Sequence, residues 1–128
     1  MLAQRVRMVV TASNIANSQT TRAAEGGAYR RRDPVFESRT IEGGFGPALA
    51  GALRTVEVPR VEIDPRPGPS RFDPGHPDAD ADGYVQMPNV DLVEEMTNMM
   101  GAQRAFEANL LALRKAREMG DAALRIGR

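Results

Sequence analysis

The sequence predicts a mainly α protein with a small β-rich or extended insertion, its N- and C-terminal helices paired as an antiparallel coiled coil. Three observations predict it. Helix-spaced apolar residues occupy residues 2–16, a longer helix-spaced pattern occupies residues 90–125, and the stretch between them is broken by Gly and Pro. The organisation that follows is an N-terminal helix and cap over residues 1–23, a β-rich or extended middle over residues 24–88, and a C-terminal helix over residues 89–128.

In the first segment Leu2, Val6, Val9, Ser13 and Ala16 recur at spacings of three and four and define one weakly apolar face. Asn14, Asn17, Ser18, Thr20 and Thr21 favour a turn or cap over continued helix. A helix of about 15 residues is marginal alone and needs a packing partner.

The middle carries strand candidates between its breaks. Residues 35–40 form one. Residues 54–63 form a second, in which Val56 and Val58 alternate while Val61 and Ile63 alternate in the opposite phase. Pro59 sits at the phase change and predicts a bulge or an edge strand. Residues 84–87 form a third. Residues 42–51 and 64–77 are rich in Gly or Pro and read as mobile connections.

The last segment is the strongest element. Asn89, or Asp91 with Glu94 three residues on, can cap its start. Its acidic residues lie early and Arg114, Lys115 and Arg117 lie late, which suits the helix dipole. Leu92, Met96, Met99, Phe106, Leu110 and Leu113 follow four-three spacing with a polar interruption at Gln103. Gly101, Ala105, Ala108, Ala112 and Ala116 form a second, small-residue series on another side, and Val93, Met100 and Leu111 point in a third direction. One short helix cannot cover all of this, so the surplus is expected to bury itself against other subunits. A charge at Phe106 is expected to block that assembly.

Composition narrows the function. Seventeen basic and 17 acidic residues cancel, which removes the electrostatic case for nucleic acid or an anionic membrane. Aromatics make up 5% and there is no Trp, so a large compact core is not expected. The absence of Cys excludes a disulfide framework, a Cys-based metal site and a Cys nucleophile. No run approaches the roughly 18 apolar residues of a membrane span, so no membrane insertion is expected. His76 is the only histidine and has no Ser or second His arrayed beside it; no catalytic site, cofactor or small-molecule substrate is expected. Gly43, Gly44 and Gly46 lack the Lys of a phosphate cradle. Met96, Met99 and Met100 read as adaptable packing, and the triplet Arg30, Arg31, Arg32 beside Tyr29 reads as a solvated or subunit-bridging strand.

One motif points toward a ligand. Asp78, Asp80 and Asp82 alternate before Gly83, like the first half of a calcium loop. Its twelfth position is Asn89 where a bidentate Glu belongs, so a loop held by Asp-to-backbone bonds is the preferred reading. A free calcium-binding module and a cytoplasmic helix-binding adaptor stand as alternatives.

Three segments carry a resemblance. The run Ala12, Ser13, Asn14, Ile15, Ala16, Asn17, followed by Thr20 and Thr21, resembles the N-terminal signature of flagellar rod and hook proteins. Residues 76–89, HPDADADGYVQMPN, resemble the characteristic segment of the FlgC family of proximal-rod proteins, and residues 90–109 resemble that group's C-terminal helix. Residues 29–36 fit its first strand. In such proteins the first helix starts further upstream, so Met1 is expected to lie inside it. The resemblance implies a structural subunit exported by the flagellar type III machinery without a cleaved signal. It also implies assembly into a periplasm-spanning rod with further FlgC copies and rod proteins of the FlgB, FlgF, FlgG and FliE types. The residues expected to carry the family motif and subunit packing are Asn14, Asn17, Asp78, Asp80, Asp82, Gly83, Tyr84, Met96, Met99, Phe106, Leu110 and Leu113. The terminal helices are expected to be largely disordered before assembly.

Overall fold

The computed structural model describes residues 1–40 and 54–126. Helix α1 spans Leu2–Ala16, strands β1 and β2 span Arg32–Thr40 and Arg54–Ile63, β3 and β4 span Ser70–Phe72 and Tyr84–Gln86, and helix α2 spans Leu92–Ile126. The expected connection at residues 42–51, with the glycines at 43, 44 and 46, lies outside the described residues. The architecture is two helices with a small antiparallel insertion, one two-stranded sheet β1–β2 and a second β3–β4.

Helix α1 packs on the first half of α2, and the contacts run in opposite senses. Arg7 Nη2 donates to Asn98 Oδ1 at 3.0 Å, while Asn14, seven residues later, reaches back to Glu95 at 3.1 Å. The buried residues of α1 are Ala3, Thr11 and Asn14. This corrects the sequence-based face: Leu2 is 76% and Val9 62% exposed. The apolar periodicity is real, but polar bonding and the close approach allowed by Ala3 decide which side turns inward.

On α2 the inward face consists of Glu95 and Ala102, with Asn98, Met99, Ala105, Phe106 and Leu110 half-buried. Both helices rise by about 1.5 Å per residue, so 15 residues of α1 can cover only a comparable length of α2. From Leu111 to Arg125 every residue of α2 is exposed. The start of α2 is capped by Asp91, whose Oδ1 accepts the N–H of Val93 at 2.8 Å and of Glu94 at 3.1 Å. Asn89, the other capping candidate, is used elsewhere.

The β1–β2 ribbon contains the expected irregularity. Val35 opposes Arg60 and Glu37 opposes Glu57, so Phe36 alone faces the pair Val58 and Pro59. The extra residue restores the phase that the sequence breaks at Pro59. Pro34 pairs with Val61 and Ser38 with Val56, and Pro34, Phe36 and Ser38 share one side of the pleat. Val56, Val61 and Ile63 therefore line a single face. The opposite face is ionic, with Arg60 bridging Glu37 and Glu62, and Arg39 paired to Glu57.

Strand β3 falls inside the stretch expected to be a plain connection. It pairs Ser70, Arg71 and Phe72 with Gln86, Val85 and Tyr84. Its presence depends on Gly68: a Cβ there would stand 2.1 Å from the Met87 carbonyl oxygen. Only a residue without a side chain lets the two backbones meet. Gly68→Ala is expected to cost about 2 kcal/mol and to release the Met87 N–H, now bonded to Pro69 O at 2.9 Å, to solvent exchange. Unchanged amide protection at Met87 would refute that account.

Candidate functional site: a polar junction and an uncovered helix

Among the described residues a dense cluster of polar bonds lies where α1, β1 and α2 meet. Asn14 is 1% exposed and makes four hydrogen bonds. Its Nδ2 donates to Arg32 O at 2.8 Å and to Glu95 Oε2 at 3.1 Å. Its Oδ1 accepts from Tyr29 Oη and from the Arg32 N–H, both at 3.0 Å. The side-chain amide thus bonds both polar groups of one strand residue, as a neighbouring strand would. The capacity of an Asn amide is two donors and two acceptors, and all are used.

Glu95 is likewise 1% exposed. Arg31 Nε donates to its Oε1 at 2.7 Å. Burial works against the Arg31 charge, but the bond to Glu95 and the charges of Asp33 and Glu95 outweigh it, and the guanidinium holds its proton more tightly than usual. Asn89 clamps the other side, accepting the Arg31 N–H at 2.7 Å and donating to Arg66 O at 2.9 Å. The basic triplet is therefore divided. Arg31 turns inward, Arg32 lies 5.7 Å from the Tyr29 ring centroid and pairs with Glu25, and Arg30 is exposed.

Asn17 sits at the end of α1. Its Nδ2 donates to Ser13 O at 2.9 Å and its Oδ1 accepts from Thr20 Oγ1 at 3.2 Å, which closes the helix with a turn.

The acidic loop is built from diverging carboxylates. Asp78 Oδ2 accepts from Thr21 Oγ1 at 2.8 Å and Oδ1 pairs with Arg22, tying the loop to the chain that leaves α1. Asp80 Oδ1 accepts the N–H of Asp82 at 3.0 Å and of Tyr84 at 2.8 Å. Asp82 is exposed. His76 Nδ1 accepts the Asp78 N–H at 3.1 Å. Gly83 has φ +82°, and a Cβ there would lie 3.0 Å from the Phe72 ring, which stacks edge-on against Tyr84 at 5.3 Å between centroids. These Asp-to-backbone bonds leave no common point for a cation. Among the described residues no group of three His, Cys, Asp or Glu side chains converges on a metal position. Calcium titration of the protein is expected to release no heat, and Asp80→Ala is expected to loosen the turn at Tyr84; micromolar calcium binding abolished by that change would contradict this geometry.

The hollow between the end of α1 and the base of the ribbon is lined by Asn17, Arg22, Glu25, Tyr29, Arg30 and Arg32 among others, without a histidine or cysteine. It assembles no nucleophile with a base. Among the described residues no helix is long and apolar enough to cross a membrane.

The apolar series on α2 divides between two environments. Met99, Phe106 and Leu110 are half-buried on the side that faces α1. Leu92 and Met96 are 46% and 52% exposed, and Leu113 is 41% exposed beyond the reach of α1. Val93 and Met100 are exposed beside Met96. The arrangement is that of a scaffold: a tied junction at one end and an uncovered, partly apolar helix at the other.

Sequence reading selected Asn14, Asn17 and the acidic loop. It named Asn89 only as a helix cap or loop position and Arg31 only within a solvated or subunit-bridging triplet, and it passed over Glu95 and Gly68. A signal for Glu95 exists, because Glu95, Met99, Ala102 and Phe106 themselves follow four-three-four spacing.

Comparison with known proteins agrees with this arrangement. Residues 81–126 match the family model described as flagellar basal body rod FlgEFG protein C-terminal. Over the whole chain, the sequence is 40% identical to the flagellar basal-body rod protein FlgC of Borreliella burgdorferi, covering 98% of this chain and 90% of the relative. It is 38% identical to the protein of that name from Salmonella typhimurium, covering 99% and 90%. With that of Bacillus subtilis it shares 37% identity over 100% and 91%.

Proposed function

The chain belongs to the FlgC family of flagellar basal-body rod proteins, and on that premise we propose how its geometry serves the rod. It is a structural subunit of the flagellar basal body and not an enzyme. The observation that supports a polymerising role most directly is the uncovered half of α2. A helix that exposes Leu111, Leu113, Met119 and Leu124 in the free chain gains stability when neighbouring helices bury them.

In this reading residues 1–23 and 89–128 form one coiled-coil unit, with α1 and α2 extending into a bundle with the helices of adjacent copies. The four-three spacing of Leu92, Met96, Met99, Phe106, Leu110 and Leu113 supports supercoiled packing there. Residues 24–88 form the insertion that touches adjacent rows of subunits. The apolar face of the β1–β2 ribbon, with Phe36 41%, Val56 56% and Ile63 47% exposed, supports that contact, since an isolated two-stranded ribbon is marginal in water. Further copies of this chain and rod proteins of the FlgB, FlgF, FlgG and FliE types are the partners in this reading, and flagellar type III export without a cleaved signal is the route. The test is fractionation: hook–basal bodies purified from the parent cell are expected to contain this protein, and intact rods lacking it would overturn the assignment.

A further inference from the structure

We propose that the buried cluster of Asn14, Arg31 and Glu95 acts as a rotational selector, fixing which face of α2 the helix α1 occupies and so keeping the Leu92–Met96–Met100 stripe free for a second copy of the chain. The identity of that occupant rests on the assembly reading above; the selector itself is a property of the single chain.

Helix α1 spends its inward face on Ala3, Thr11 and Asn14 while Leu2 and Val9 point to solvent. Helix α2 spends its inward face on Glu95 at 1% and Ala102 at 0% exposure, while Val93, Met96 and Met100 stand 74%, 52% and 49% exposed. At the level of Asn14 and Glu95 the two helices turn small or polar residues toward each other and apolar ones outward, while further along α2 Met99, Phe106 and Leu110 stay half-buried on the inner side. At about 100° per residue, Met96 lies little more than a quarter turn from Glu95. A modest rotation would exchange the carboxylate for Met96, and at this level of the helix apolar burial alone favours that exchange.

Polar bonding opposes it. Glu95 meets Arg31 at 2.7 Å and Asn14 at 3.1 Å, and Asn14 is fixed in turn to both backbone groups of Arg32. Rotating α2 would leave the Asn14 amide and the Arg31 guanidinium short of an acceptor. Arg7 bonding to Asn98 at 3.0 Å adds a second tie on the same face. A buried polar group that is fully partnered in one register only selects that register at some cost in stability, a role attested for single polar residues in coiled-coil seams. Sequestering the polar face inside the chain also leaves the outward stripe free of a buried charge.

The natural absence of Cys allows a direct test on the dilute, monomeric protein. Single cysteines are placed by Met96→Cys or Ala102→Cys, in the native background and with Asn14→Leu and Glu95→Leu combined. Thiol-labelling rates are measured with helix content by circular dichroism. In the native background the cysteine at position 96 is expected to label at least about tenfold faster than that at position 102, as their exposures require. In the doubly apolar background the ratio is expected to fall to about one or invert, with helix content retained. A ratio that stays native would overturn the proposal. So would loss of the helices at a temperature where Asn14→Ala stays folded, because the cluster would then hold the helices together and not only orient them. The readout needs no assembly, so its failure is distinct from a failure of the assembly reading, which rods alone can test.

Discussion

Asn14→Ala is expected to lower the stability of the isolated chain by about 4 kcal/mol and its melting temperature by roughly 15 °C. Few single changes in this molecule reach further. Truncation removes four hydrogen bonds at once and strands the Arg32 N–H and carbonyl and one oxygen of Glu95, while the Tyr29 hydroxyl keeps only a long contact to Ser13 Oγ at 3.5 Å. Each buried group left without a partner costs about 1–3 kcal/mol. Little else compensates, because the buried apolar side chains among the described residues are Ala3, Tyr29, Val85, Pro88 and Ala102. The junction joins α1, β1 and α2, so the loss is expected in one cooperative step that unfolds both helices with the ribbon base. Thermal melts followed by circular dichroism check it, and a shift below about 3 °C would show that the amide is replaceable by water.

Met96→Glu is expected to do the reverse: leave the single chain intact and abolish rod assembly. Met96 is half exposed, and a charge in water at that position is expected to change folding stability by no more than about 0.5 kcal/mol. Buried between copies, the same carboxylate costs several kcal/mol at every interface. A polymer repeats that cost at each subunit, so motility is expected to disappear. The measurement pairs a melt of the purified chain with complementation of a motile host deleted for its own rod protein of this family. Wild-type melting with no swimming is the expected pair; normal swimming would remove Met96 from the packing surface. Phe106→Glu separates the two effects less well, because Phe106 is half-buried on the side that already faces α1.

Much of this architecture is legible before any coordinates. The limits of α2 follow from its periodicity and from Asp91, and Arg54–Ile63 emerges with its bulge because Pro59 marks the phase change. The acidic loop is legible as a turn because alternating Asp before Gly serves backbone N–H groups as readily as a cation. The inward face of α1 is not legible. Periodicity ranks Leu2 and Val9 above Thr11 and Asn14, and local spacing carries no information about a carboxylate 81 residues away. Glu95 is hidden for a related reason: in the first turns of a helix an acidic residue already has a dipole to complement. Strand β3 is missed because three residues between prolines carry no period, and its pairing depends on Gly68 meeting Met87 from a distant segment. The bonds of Asn14 to Arg32 and Glu95 give α1 intramolecular support, whereas α2 is exposed from Leu111 to Arg125.

The central claim is that α2 uses one face within the chain and another between chains. A photo-crosslinking residue placed at position 96 or at position 102 in assembled rods tests it most directly. Position 96 is expected to give adducts between subunits, and position 102 adducts within the chain to α1 alone. Subunit-to-subunit adducts from position 102, with none from position 96, would contradict the account.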